Sequence, residues 1–251
     1  MDNALYVGLS RQVVLQRMLD VAANNIANQD TVGFKVEQLV THTYPMSPPN
    51  SPGVNLATVN YVQDANVARD FGQGEVAQTG NPYDLALQGN GFFTVQTTSG
   101  PQYTRDGRFT LDAQNQIVDK DGDPVLSAAG APIVVDPAKG PPLIAKDGTI
   151  SQTGVNGQLV SLGKIAVVQF ANLSALTKQG SNLYADNSGQ TPTPAANTTL
   201  EQGFVEHSNV KAVAEVTNLI QISRAYERMQ DLMTSTQDLS SKAIDTLAGT
   251  Q

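Results

Sequence analysis

Asp119, Asp121 and Asp123 stand at alternate positions, the spacing at which carboxylates open a calcium-binding loop. The rest of such a loop is missing, because Pro124 occupies the place of its glycine and Gly130 the place of its closing glutamate. The stretch therefore reads as an Asp-rich hairpin turn, and no metal is expected. His42 and His207 are the only histidines and there is no cysteine, so a zinc site or a catalytic triad would have to be completed by carboxylates. Gly89-Asn90-Gly91 lacks the third glycine and the following helix of a dinucleotide fingerprint. Neither Gly-x-Ser-x-Gly nor a phosphate-cradling Gly-Lys-Ser/Thr occurs. Paired glycosidase carboxylates are a spatial arrangement that linear spacing does not reveal. These residues point away from an enzyme, and no cofactor is expected.

The composition narrows the alternatives. The chain has 251 residues, 40% of them apolar and only 15% charged, enough to bury a core but with few solvated charges. Its formal charge of -8 repels nucleic acid, and no Lys/Arg cluster offsets it. The N-terminus presents Asp2 and Asn3 where a secretory signal would be basic, and Arg11 and Arg17 interrupt its apolar region. No stretch of about 18 apolar residues is present to insert into a lipid bilayer. Export, if it happens, is expected to use a route without a cleaved signal.

Two periodic stretches flank everything else. From Leu219, the residues Ile222, Tyr226, Met229, Met233, Thr236, Ser240, Ala243 and Leu247 recur at steps of three and four, the spacing of a coiled-coil seam. A helix over 210–247 would run roughly 57 Å at about 1.5 Å per residue. Near the N-terminus, Leu5, Leu9, Gln12, Gln16, Leu19, Ala23 and Ile26 repeat in the same way, and Val7, Val14 and Val21 form a second apolar line. The turn-forming run Asn28 to Gly33 ends that helix.

Between the two stretches the period changes. Five residues of Tyr44 to Gly53 are Pro or Gly, and the segment is expected to be extended and polyproline-like. From Tyr83 the alternation has period two, with Asp106-Gly107, Asp121-Gly122, Asp147-Gly148 and Asn156-Gly157 as hairpin dipeptides. Strands are expected through 84–118 and at 132–135, 149–151 and 164–170, with 187–199 as an exposed loop. The expected fold is α+β, with long N- and C-terminal helices paired as an antiparallel coiled coil and an antiparallel β domain inserted between them. The domains are drawn as 1–35 with 206–251 for the helical assembly part, 36–82 for an extended connector with short strands, and 83–205 for the β domain.

Three groups of residues carry a likeness. Asn24-Asn25-Ile26-Ala27-Asn28 followed by Thr31-Val32-Gly33-Phe34-Lys35 resembles the N-terminal signature of the flagellar axial proteins that build rod and hook. Glu206-His207-Ser208-Asn209-Val210, with Ile220 and Arg224-Ala225-Tyr226-Glu227, resembles their C-terminal signature. Gly89-Asn90-Gly91-Phe92-Phe93 and Tyr103-Thr104-Arg105-Asp106-Gly107 resemble the start of their β domain. The resemblance implies a structural subunit of the basal-body rod, proximal or else distal, stacked helically into a drive shaft across the periplasm. It implies terminal helices forming an inner tube, β domains outside, and ends disordered before assembly. Its partners would be neighbouring proximal and distal rod proteins, copies of itself and the flagellar export apparatus. Assembly contacts are expected at Leu5, Leu9, Leu19, Ile26, Leu219, Ile222, Tyr226, Met229, Met233 and Leu247, and at Asn28, Gly33 and Phe34. An exported β-rich hydrolase or binding module is the rival reading from another class.

Overall fold

The computed structural model describes residues 2–46, 59–154 and 157–248. The chain divides into two compact units. One comprises 1–27, 37–70 and 211–251, and the other 28–36 and 71–210.

The first unit holds helix α1 (Asp2–Ala27), strands β1 (Glu37–Met46) and β2 (Val59–Arg69), and a 37-residue C-terminal helix starting at Ala212. β1 and β2 form one long antiparallel ladder from Glu37↔Arg69 to Met46↔Val59, with a bulge at Val40/Thr41. An ion pair of 2.9 Å between Arg69 and Glu37 closes its end. The polyproline-like reading of Tyr44 to Gly53 is corrected at its start, where Tyr44, Pro45 and Met46 pair with β2. A two-stranded ladder consists only of edges, which is where a strand tolerates proline. Residues 47–53 lie outside the described part.

The second unit is β-rich. In chain order its strands are β3 (Val76–Gln78), β4 (Leu85–Gln88), β5 (Phe92–Thr97), β6 (Gly100–Thr104), β7 (Thr110–Leu111), β8 (Ile117–Val118), β9 (Leu143–Ile144), β10 (Thr149–Thr153) and β11 (Leu159–Lys164). There follow β12 (Val167–Gln169), β13 (Leu176–Gly180), β14 (Leu183–Asp186), β15 (Thr193–Pro194), β16 (Thr199–Gln202) and β17 (Phe204–Glu206); the C-terminal helix, α2, is Ala212–Ala248. The largest sheet has the order β13-β14-β6-β5-β12-β15, and β11-β10-β9 form a second. The described pairings are antiparallel throughout.

Adjacent residues of β5 and β14 feed opposite faces, as the period of two demands. Phe93 and Leu183 enter one apolar cluster with Leu85, Val95 and Phe109, whereas Phe92 and Tyr184 enter another with Phe71, Tyr103 and Phe170. Both clusters are held by edge-to-face rings, such as Phe93 on Phe109 at 5.1 Å and Phe71 on Phe92 at 5.4 Å. Two dry faces on one sheet explain why adjacent Phe92 and Phe93 are both apolar and why 92–95 shows no clean alternation. Residues 132–135, expected as a strand, contribute only isolated bridges, Leu126↔Pro132 and Gln116↔Val134.

The coiled coil is corrected. α1 and α2 do pack, through buried Leu15, Ala22 and Ile222, with Met18, Leu19, Leu219, Ala225, Tyr226 and Met229 against them. The buried stripe of α1 is Gly8, Leu15 and Ala22, with Val14 and Asn25. The expected seam instead leaves Leu9 half exposed and Gln16 and Ala23 exposed. A coiled coil requires large apolar knobs buried at regular intervals along both helices, and here only Leu15, Ala22 and Ile222 of the shared cluster are buried, the rest being partly exposed. The physical reason is competition for α1, because the Asn25 side chain is tied to the backbone of β1. Its Nδ2 donates to Glu37 O at 2.8 Å and its Oδ1 accepts from Glu37 N at 2.9 Å. The α+β class stands, and this unit is two helices with a hairpin.

Phe93, fully buried in one cluster with Leu85, Leu87, Val95 and Phe109, gives a measure of the second unit's packing. Phe93→Ala is expected to cost about 3–5 kcal/mol. Urea unfolding followed by tyrosine fluorescence, in a chain without Trp, should show a lower midpoint and an unchanged slope.

Candidate functional site

Three charged side chains from distant parts of the sequence meet inside the second unit. Glu206, at the end of β17, is fully buried, as are Lys35 and, nearly, Arg105. Lys35 Nζ donates to Glu206 Oε1 at 2.6 Å, and Arg105 NH1 donates to Glu206 Oε2 at 3.1 Å. The Gly74 amide gives Oε1 a further hydrogen bond at 2.9 Å. Both cations also find carbonyls, Lys35 at Gly72 O (2.8 Å) and Arg105 NH2 at Gly89 O (2.7 Å). Arg105 lies 5.3 Å over the Phe92 ring, where a desolvated cation gains most from the ring's negative face.

The backbone brings these residues together. Gly33 N donates to Glu206 O at 2.8 Å, and Asn182 Nδ2 donates to Val32 O at 3.0 Å. Gly33 has φ +71°, and a Cβ there would run into the Asp106 amide, so only glycine fits both the conformation and the contact. Gly107, expected as the second residue of a hairpin turn, has no positive φ. It is instead the point where backbone approaches backbone, since a Cβ on it would collide with Leu85 O. Asn209, three residues before α2, ties two other segments together. Its Oδ1 accepts from Val36 N at 2.8 Å and its Nδ2 donates to Gly72 O at 3.1 Å.

Burial pulls the Arg105 guanidinium below its ordinary range, and Glu206 opposes that shift by attraction and hydrogen bonding. Arginine starts so high that it stays charged. The centre is thus a charged, hydrogen-bonded clamp.

The residues singled out as assembly positions fall into two sets. Asn28, Gly33 and Phe34 lie in the second unit, where Asn28 O accepts from Thr31 N and Phe34 is fully buried with Lys178 Nζ 4.4 Å over its ring. Leu19, Leu219, Ile222, Tyr226 and Met229 meet in the cluster of the first unit. Leu5, Ile26 and Met233 are half-buried and Leu9 is half exposed; Leu247 belongs to α2, and its side chain is outside the description. Lys35, Arg105 and Glu206 were inside the three signatures but carried no expected role. Separations of 70 and 101 positions leave no local pattern that pairs them, and the signal available was only that Lys35 stands between Phe34 and Val36 and that Glu206 follows Val205.

The Asp-rich turn has its own use for Asp119. Its Oδ1 accepts from the amides of Asp121 and Asp123, both at 2.9 Å. Burial raises the pKa of Asp119 despite those bonds, and burial also raises that of Asp123.

A β unit that is closed only when segments from near both chain ends enter one charge centre defines a structural class of α+β protein. Three family models match it in order: "Flagella basal body rod protein" over 5–35, "Flagellar hook protein FlgE/F/G D1 domain" over 86–155 and "Flagellar basal body rod FlgEFG protein C-terminal" over 201–246. The flagellar basal-body rod protein FlgF of Caulobacter vibrioides is 45% identical over 247 residues, covering 98% of both chains. FlgF of Mesorhizobium japonicum is 38% identical over 259 residues, again 98% of both, and the rod protein FlgG of Bacillus subtilis is 31% identical over 263 residues, 98% of this chain and 99% of its own. The chain belongs to the flagellar basal-body rod protein family, and within it is FlgF-like.

Removing one partner of a buried ion pair strands the others, at a cost of about 3–5 kcal/mol. Glu206→Gln is expected to lower the stability of the second unit by that order, while the double variant Glu206→Gln with Lys35→Met recovers part of it, both read from urea midpoints. For Asp119, a raised folded-state pKa means that the native state binds the proton more tightly than the unfolded chain. Stability from this group is therefore gained as pH falls through the folded pKa, and is absent well above it. Relative to Asp119→Asn, the wild-type chain is expected to gain stability as the pH falls toward the ordinary aspartate pKa of about 3.9. Thermal melts of both proteins as the pH is lowered check the sign.

Proposed function

We propose that this protein is a structural subunit of the proximal rod of the bacterial flagellar basal body, joined to neighbouring rod subunits and to copies of itself through its terminal helices. The observation that carries the assembly role is the surface of α2. Val213 is 83% exposed, and Val216, Ile220, Leu232, Leu239 and Ile244 are exposed along the same helix. Large apolar side chains repeated over some 30 residues of a helix are the mark of a surface built for partners. Scattered single apolar residues would need no such explanation.

In this reading Leu5, Leu9, Leu19 and Ile26 on α1, and Leu219, Tyr226, Met229, Met233 and Leu247 with Ile222 on α2, serve assembly wherever the monomer's own cluster leaves them accessible. Asn28, Gly33 and Phe34 serve it by holding the N-terminal segment in place. The subunit travels through the flagellar export apparatus without losing a signal peptide and works in the periplasm. Catalysis plays no part in this role.

Leu239 tests the reading because it is exposed and distant from the cluster around Ile222. Leu239→Asp is expected to leave the monomer's thermal unfolding unchanged while cutting the amount of the chain in purified basal bodies by about tenfold. That corresponds to about 1.4 kcal/mol of lost association. Wild-type incorporation with normal swimming would sink the assignment of this face to assembly.

A further inference from the structure

Between α1, β1 and α2 lies a cavity of about 240 Å³ floored by Met18, Ala22 and Ile222 and rimmed by Asn25, Glu37 and Glu215. It is smaller than the usual 300–1,000 Å³ of small-molecule pockets, and its size suits one long side chain. Glu37 is already matched by Arg69 at 2.9 Å. Glu215 has only a long contact of 3.4 Å from Asn25 Nδ2, which leaves most of its acceptor capacity unused. The cavity therefore has an apolar floor and one acid in need of a cation.

The complementary surface is on the other side of the same helix. At about 100° per residue, Arg224 stands roughly 200° around α2 from Ile222. Ile220 and Arg228 fall within about 40° of Arg224, the exposed Asp231 within about 20° two turns further on, and Glu227 about 60° to one side. Ile220, Arg224 and Arg228 are exposed, and neither arginine makes an ion pair among the described residues. The face of α2 at Glu215 is acidic and hollow, and the opposite face presents Ile220 and, about 13.5 Å beyond the level of Glu215, the exposed Arg224.

We propose that the cavity receives Arg224 from a second copy of this chain, with Ile220 of that copy resting against the cavity's apolar residues. The proposal rests on the rod-subunit reading and adds to it a specific contact between copies. Two different patches on opposite faces make the contact heterologous, so each copy offers both halves and the association extends rather than closing as a two-fold dimer. An arginine suits the role because its stem packs on Met18 and Ile222 while its guanidinium pairs with Glu215.

Charge exchange tests it in cells that carry the variants in place of the resident gene. Arg224→Glu alone and Glu215→Arg alone are each expected to lower incorporation into basal bodies by about tenfold or more, as for close interfacial charge pairs. Glu215→Arg with Arg224→Glu together should restore incorporation to within about threefold of wild type, since a reversed pair keeps its attraction. A second measurement does not depend on how each variant folds. The chain has no cysteine, and Asn218→Cys with Ile220→Cys places two thiols on opposite faces of α2, where no disulfide can form within one chain. Oxidation should give a ladder of linked copies in basal bodies and none in the purified monomer.

Absence of the ladder from basal bodies that contain the variant, or failure of the double reversal to recover, overturns the contact and leaves the rod reading standing. Absence of the wild-type chain from basal bodies overturns both.

Discussion

Glu206 is an anion with no access to water, held between Lys35 and Arg105. Burying a carboxylate costs several kcal/mol, and the cost is offset only if good hydrogen bonds and opposite charges arrive together. Here they arrive from four places: a lysine following the first helix, an arginine after β6, the amide of Gly74 and the pairing of β17 with β3. None of these segments can leave without exposing the others to an uncompensated charge. The second unit is therefore closed cooperatively, and its β strands are complete only when residues 31–36 and 204–209 are both in place.

That constraint changes how the N-terminal signature is understood. Thr31 to Lys35 is part of the β unit's interior, with Val32, Gly33, Phe34 and Lys35 all buried. Its glycine is required by a positive φ and by the Asp106 backbone, and its lysine by Glu206. The first unit is held differently. Its cluster has three buried residues, its hairpin is fastened to α1 by Asn25, and α2 carries several exposed large apolar side chains along its length. Few buried contacts and much apolar surface describe a region whose stability depends on neighbours.

The comparison of α1 with α2 shows what a periodic pattern can and cannot say. On α2, the positions from Leu219 to Ala243 that repeat at three and four are the half-buried and buried ones. On α1, the same reasoning selected Leu5, Leu9 and Leu19, but the structure buries Gly8, Leu15 and Ala22. Glycine and alanine are invisible to a search for large apolar residues, yet close helix approach favours them. A Cβ on Gly8 would lie 3.1 Å from Met233 Cγ. The hairpin β1–β2 was hidden for a related reason, because Pro45 counts against a strand unless the strand is an edge.

Sequence by itself determined the order of helix, β structure and helix, the positions of most strands from 85 to 169, and the family, because these rest on local periodicity, turn chemistry and motifs read along the chain. It also located the positive-φ glycine at 33, since a turn of Asn, Asp and Gly has few other conformations. Only the tertiary structure decided that Lys35, Arg105 and Glu206 form one buried centre, that Asn209 ties two other segments together, and that the terminal helices do not form a coiled coil. Each of those outcomes depends on which residues meet across long separations and on what competes for a helix face. A buried charge is stable only through such partners, and the partners are fixed by packing in three dimensions.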